Sequence, residues 1–161
     1  VDETEISAYH EAGHAFMAIF VGAQVGMVTI EPDRDDGPQR HAEIRVEWPP
    51  GTFSRRQHQE KMILVSLAGP AAEMLYSGDP FHPGLVPEWA ADWRSAWEAA
   101  APLIADEKKR LALLEQTSIK VYRLLDQEPN WSALAAIADS LLAHETLEGE
   151  EVLEIVQQWL R

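Results

Sequence analysis

His10-Glu11-Ala12-Gly13-His14 sits inside the run from Ala8 to Val21, whose composition predicts a helix. At helical pitch the two histidines stand one turn apart on the same face, so both imidazoles can reach one metal ion. Glu11 follows the first histidine and can hold a water on that metal. The motif suits a zinc hydrolase, in which the metal lowers the water's pKa and the carboxylate takes its proton. The rest of the chain must then supply a third ligand and a place for substrate.

Upstream of the motif, Asp2 with Glu5 three residues on has the form of a capping box, and Gly22 offers the stop. Beyond the first turn the apolar residues Phe16, Met17, Ile19, Phe20 and Val21 lie almost all round, which predicts a buried helix. Burial would give the metal a partly dry, pre-organised setting.

Downstream, Met27 to Glu31 and Glu43 to Trp48 read as strands, the second with Ile44, Val46 and Trp48 on one face and Glu43, Arg45 and Glu47 on the other. Asp33 to Pro38 reads as a polar turn between them, so an antiparallel pair is expected. Ser54 with Gln57 opens a helix from Arg55 to about Tyr76, which Pro70 should kink or divide. Gly78, Pro80, Pro83, Gly84 and Pro87 mark a loop, and Glu88 to Ala101 reads as helix. Leu111, Leu114, Val121 and Leu125 recur at helical spacing, as do Trp131, Leu134, Ala138 and Leu141 after Pro129-Asn130. A last helix, Glu150 to Leu160, should bury Val152, Val156 and Trp159. The expected fold is α+β and mainly α-helical: a buried motif helix, a small antiparallel strand pair and a multi-helix C-terminal part.

The 161 residues fit one domain, 1–161, with a catalytic core over 1–101 and a helical tail over 102–161. That length is too short for a peptidase plus a separate ATPase module, and no G-x-x-x-x-G-K-[ST] loop occurs. A net charge of -14 and a pI near 4.7 argue against a nucleic-acid partner. With no cysteine, disulfides and thiolate zinc sites are excluded, so a metal must sit on histidine and carboxylate. The longest uncharged stretch, Ala15 to Ile30, falls short of the roughly 20 residues that span a bilayer, and no signal peptide is visible. A cytoplasmic location is expected, although a chain opening on Val1 leaves room for an upstream anchor or partner domain.

The third ligand is the missing element. A metzincin would need glycine and histidine where the chain has Met17 and Phe20. A thermolysin-like site would place a glutamate on a following helix, where this chain is strand-like. The ligand must come from farther along. Against the plain reading, two histidines merely satisfied in a core, stand the buried helix, the small residues in the variable positions and Gly13, which admits a close neighbour.

Three blocks resemble the zinc peptidase domain of the FtsH-type AAA proteases. Ala8-Tyr9-His10-Glu11-Ala12-Gly13-His14-Ala15 looks like that family's AYHEAGHA signature. Ser66 to Met74 is similar to its LGGRAAEE helix, with Pro70 in place of the usual basic residue. Leu141 to Glu151 resembles the LLexETLdGEE stretch joining the last two helices. The resemblance implies that Asp92, in Ala91-Asp92-Trp93, is the third zinc ligand beside His10 and His14, although the family's preceding asparagine is absent. Glu88, one turn away on the same face, is the rival ligand, followed by Asp79 and His82. The resemblance also implies a hexamer and ATP-driven unfolding, so a separate AAA unfoldase or a homo-oligomer is an expected partner, with unfolded polypeptides or short peptides as substrates.

The expectation is a zinc-dependent endopeptidase with Glu11 as general base and one zinc per chain. An exposed strand edge could hold substrate as an added strand. The rival is an assembly or binding module that keeps fold and zinc with little peptidase activity; a third reading is a helical scaffold whose histidines bind nothing. Trp89, Trp93 and Trp97 form a stripe that reads first as core and second as a grip on substrate or a partner. Glu73 reads as a partner orienting a ligand histidine or as a solvated carboxylate. His41, His58 and His144 read as ordinary surface or packing residues.

Overall fold

Asp2 opens the first helix by accepting a hydrogen bond from the Thr4 backbone N–H at 2.9 Å. The reciprocal half of the expected capping box does not form, because the Glu5 carboxylate accepts from the Tyr76 hydroxyl. The computed structural model describes residues 2–31, 43–78 and 90–160. In chain order these form α1 (Glu3–Phe20), β1 (Gln24–Thr29), β2 (Glu43–Glu47), α2 (Arg55–Ser77) and α3 (Ala90–Ala100). They continue with α4 (Glu107–Leu125), α5 (Asn130–His144), β3 (Thr146–Glu148) and α6 (Gly149–Trp159). The architecture is α+β and mainly helical, with one small antiparallel sheet. The expected turn over 33–38, and with it His41, Asp79, His82, Glu88 and Trp89, lies outside the described residues.

As its apolar circumference predicts, α1 is buried from Ala8 through Ala18, except for a half-buried Tyr9. It packs on α2, α5, β1 and α6. The crossing with α2 is close at Gly13, where an added Cβ would stand 2.4 Å from the Ala68 carbonyl oxygen and 2.7 Å from the Ala72 Cβ. Phe16, Met17, Leu67, Leu114, Leu125, Leu134, Ile137, Leu141 and Leu147 fill the centre. Among the described residues no helix is long and apolar enough to cross a membrane.

The sheet has the order β2-β1-β3, so β1 is its middle strand. The expected antiparallel pairing of β1 with β2 is present, with Val28 opposite Ile44 and Val25 opposite Val46. The first strand begins earlier than its alternation suggests, at Gln24 instead of Met27, and ends at Thr29. A bulge between Val25 and Met27 breaks the period-two pattern that would have shown it. The third strand is absent from the sequence reading, since Thr146-Leu147-Glu148 is too short for any period. It is fixed by pairing across to β1, where Thr29 and Thr146 share a hydroxyl contact of 2.7 Å.

Ser54 and Gln57 make a full capping box at the start of α2, at 3.1 and 2.9 Å. This helix runs unbroken through Pro70, so the expected division does not occur. The proline forfeits one backbone bond and crowds the turn before it. Burial of the surrounding Leu67 to Ala72 against α1, α3 and α4 outweighs that loss. Trp93 and Trp97 are half-buried against the core, and the Arg110 guanidinium lies 4.5 Å from the Trp97 ring centre. In α6, Val152 and Val156 are buried as expected, but Trp159 is 46% exposed: it lies within about 20° of Val152 round the helix axis but is the last residue of the helix, beyond the buried part of the stripe.

Candidate metal centre

His10 and His14 project from one face of α1, and Asp92 comes to them from the first turn of α3. All three are buried, and among the described residues they are the group whose ligand atoms converge as a metal requires. The His14 Nε2 lies 3.2 Å from the His10 Nε2. Asp92 spans the pair, with Oδ2 at 2.8 Å from the His10 Nε2 and Oδ1 at 3.3 Å from the His14 Nε2. Four donors at the roughly 2.0–2.1 Å bond length of a tetrahedral site stand about 3.3 Å apart. With one atom taken from each residue, the ligand atoms lie within 4.8 Å of one another, close enough to hold one ion.

One stripe of α2 backs the centre, through residues four apart. The Val65 carbonyl accepts from the His14 Nδ1–H at 2.7 Å, which points the other ring nitrogen at Asp92. A turn later Gly69 lies against both imidazoles: a Cβ there would be 2.3 Å from the His14 Nε2 and 2.8 Å from the His10 Nε2. After another turn the Glu73 carboxylate stands 3.8 Å from the His10 Nδ1, on the side away from Asp92. Sequence reasoning singled out Glu73 but missed Val65 and Gly69, which act through backbone position. The only signal for Gly69 was a glycine in mid-helix, where it costs about 1 kcal/mol against alanine and so implies a packing reason.

The electrostatics couple the ligands. Burial pulls the His14 pKa down, but the Asp92 carboxylate, aided by Glu11 and the Val65 carbonyl, outweighs it and pushes the value up to about 9. Burial likewise opposes the charge on Asp92, yet His14 and His10 together hold its pKa far below the usual carboxylate range. The two ring nitrogens 3.2 Å apart cannot both donate to each other, but each can donate to a separate Asp92 oxygen. A cation would take the place of those protons, accepting a lone pair from each ring and from the carboxylate. Glu11 is 1% exposed, and its Oε2 has no hydrogen-bond partner among the described residues. A buried carboxylate oxygen left in this state is costly for folding and calls for a partner such as a bound water or ion.

The remaining candidates separate clearly. Glu88, Asp79 and His82 belong to the undescribed stretch. His144 is exposed, and His58 packs edge-on against Trp48 with ring centres 4.8 Å apart, away from the centre. No protein-family model matches the chain, and comparison with curated proteins returned no match. The three blocks that carry the resemblance are nevertheless neighbours in space. The first two cross at Gly13 and Gly69, and the third forms the end of α5, β3 and the start of α6, where a Cβ on Gly149 would stand 1.6 Å from the Val25 carbonyl oxygen.

Proposed function

We propose that the chain is an FtsH-like, zinc-dependent endopeptidase that hydrolyses peptide bonds in unfolded polypeptides, with His10, His14 and Asp92 holding one zinc ion. The observation that carries this reading is the convergence of the three buried ligand atoms near Glu11, whose Oε2 has no hydrogen-bond partner among the described residues. Two imidazoles and a carboxylate are a donor set that suits zinc. When bound, the metal supplies Lewis acidity, lowering the pKa of water to about 7 and favouring negative charge on the scissile carbonyl oxygen.

The chain's own residues supply the rest. Glu11 takes a proton from the attacking water and returns it to the departing amine, a transfer that a positioned carboxylate accelerates by about 10²–10⁴-fold. Val65 and Glu73, on opposite sides, fix the ring planes of His14 and His10. Among the described residues the outer edge of β2 pairs with no other strand, so it can take an extended substrate as an added strand, which favours unfolded chains over folded ones. A separate AAA unfoldase supplying such chains, and a cytoplasmic setting, belong to the same reading.

The test pairs zinc analysis with cleavage of unfolded casein. Glu11→Gln should keep stoichiometric zinc and lose turnover by at least about 10²-fold, whereas Asp92→Ala should lose zinc. Turnover by Glu11→Gln at the wild-type rate would refute the mechanism. Stoichiometric zinc in a wild type that cleaves nothing, with unfoldases added, would favour a zinc-binding assembly module instead.

A further inference from the structure

Three aromatic rings from three helices lie nearly parallel beside the first half of α1. Tyr9 stacks on Tyr76 of α2, with ring centres 4.0 Å and planes 12° apart, and on Trp131 of α5 at 5.5 Å and 21°. All three are half-buried, so part of each ring still meets solvent. Carboxylates surround the stack. The hydrogen bond that Glu5 accepts is the chief cause that pushes the Tyr76 phenol up to about 12, and the Asp2 charge adds to it. Partial burial, with the charges of Asp139 and Glu5, raises Tyr9 as well. Among the described residues Asp2, Glu5 and Asp139 form no ion pair with a lysine or arginine, and no cation lies over any of the three rings. Elsewhere the molecule supplies its own cations: the Lys61 ammonium lies 4.4 Å from the Phe53 ring centre, as the Arg110 guanidinium does at 4.5 Å from that of Trp97.

An aromatic face is the negative side of the ring quadrupole, and a carboxylate beside it adds a full charge, so the two together attract a cation. A guanidinium suits them better than an ammonium. It is flat and weakly hydrated, so it can lie on a ring while its N–H fork reaches the carboxylate at the ring's edge. We propose that the Tyr76–Tyr9–Trp131 stack, with Glu5 and Asp2, holds an arginine side chain of a bound polypeptide. The stack adjoins the metal centre. Tyr9 directly precedes His10, and Tyr76 lies about 4.5 Å along α2 from Glu73, whose carboxylate stands 3.8 Å from the His10 Nδ1. On the peptidase reading, on which this step rests, that polypeptide is the substrate, and basic segments are taken in preference to acidic ones. A net charge of -14 acts in the same direction, drawing cationic chains toward the molecule.

The experiment is a heteronuclear NMR titration of the full chain carrying Glu11→Gln, which stops turnover. The probes are acetyl-Gly-Gly-Arg-Gly-Gly-amide and its citrulline counterpart, which has nearly the same shape and no charge. The arginine peptide should give saturable shifts centred on Glu5, Tyr9, Tyr76 and Trp131, and the citrulline peptide should bind at least about fivefold more weakly. Asp2→Asn with Glu5→Gln keeps a capping residue for α1 and an acceptor for the Tyr76 hydroxyl, yet should weaken arginine binding about tenfold. Tyr76→Phe keeps the ring and frees the Glu5 carboxylate, so it should bind at least as tightly, whereas Tyr76→Leu should bind weakly. If Tyr76→Leu loses its circular dichroism, the double variant decides. Equal binding of the two peptides, shifts centred elsewhere, or a double variant that binds like its parent would overturn the proposal. None of these readouts needs cleavage, so a failure here and a failure of the peptidase reading are told apart. In wild type, longer quenched peptides that differ only in arginine or citrulline should be cleaved with a KM about fivefold lower for arginine. Equal KM with binding intact would overturn the placement on the substrate path.

Discussion

Gly69 leaves no room for a methyl group beside His14: a Cβ would approach Nε2 to 2.3 Å and Cε1 to 2.5 Å. The second helix thus holds the two ligand rings by the absence of a side chain. Gly69→Ala should leave the helix intact, since alanine is the better helix former, while pushing His14 and His10 off the point they share with Asp92. Zinc affinity should fall by about 10–100-fold, the usual scale for disturbing the groups that orient metal ligands. Competition with a chromophoric chelator measures it, and unchanged affinity would show that the rings relax freely.

The charges shared by His10, His14 and Asp92 predict how metal-free protein responds to pH. The folded-state pKa of His14 is raised to about 9, above the roughly 6.5 of an unfolded chain. Its stabilising contribution is therefore complete below pH about 6.5 and is lost as pH rises through about 9. Asp92 is shifted the other way, so its contribution is present above its unfolded value and is lost as pH falls below it. In chelator, Tm should decline on the alkaline side. On the proposed function zinc would replace the proton between these groups, so the alkaline decline should shrink when zinc is added.

Gly149→Ala tests the junction between β3 and α6. The added Cβ would stand 1.6 Å from the Val25 carbonyl oxygen, a backbone atom that cannot turn aside. Either β1 or α6 must shift, at a cost of about 1–3 kcal/mol. Chemical denaturation should register that loss, with helix content at zero denaturant nearly unchanged.

Tyr76→Phe removes the hydroxyl that donates to Glu5 and ties the end of α2 to the start of α1. The ring itself stacks on Tyr9, with centres 4.0 Å apart, and Tyr9 stacks in turn on Trp131. Phenylalanine keeps the stack, so the expected loss is that of one solvent-screened hydrogen bond to a charged group, a small downward shift of the unfolding midpoint. Urea denaturation reads it, and the zinc content should not change.

The parts of this fold that were legible are those whose cause is local. The all-round apolar pattern of α1, the Ser54–Gln57 box, the alternation of β2 and the i, i+4 histidines are each set within a few residues. Bringing Asp92 to His10 spans 82 positions, and no spacing rule predicts it; the resemblance pointed to that residue, and packing of α3 on α2 brings it there. What stayed hidden depends on distant backbone. The third strand exists because β1 offers it a free edge. The bulge at Gly26 masks the true start of β1. Pro70 remains helical because its neighbours are buried on several sides.

The middle position of β1 sets the order in which this molecule can come into being. Its second neighbour, β3, arrives more than a hundred residues later: Thr29 meets Thr146 across a separation of 117. The helix bearing His10, Glu11 and His14 is likewise covered by α5, which belongs to the last third of the chain. Such distant pairings carry a large loop-closure cost before they are rewarded, so they form late. Within these residues the motif helix therefore forms before the elements that enclose it, and a fragment ending before residue 146 would carry His10, His14 and Asp92 without the strand that completes the sheet beside them.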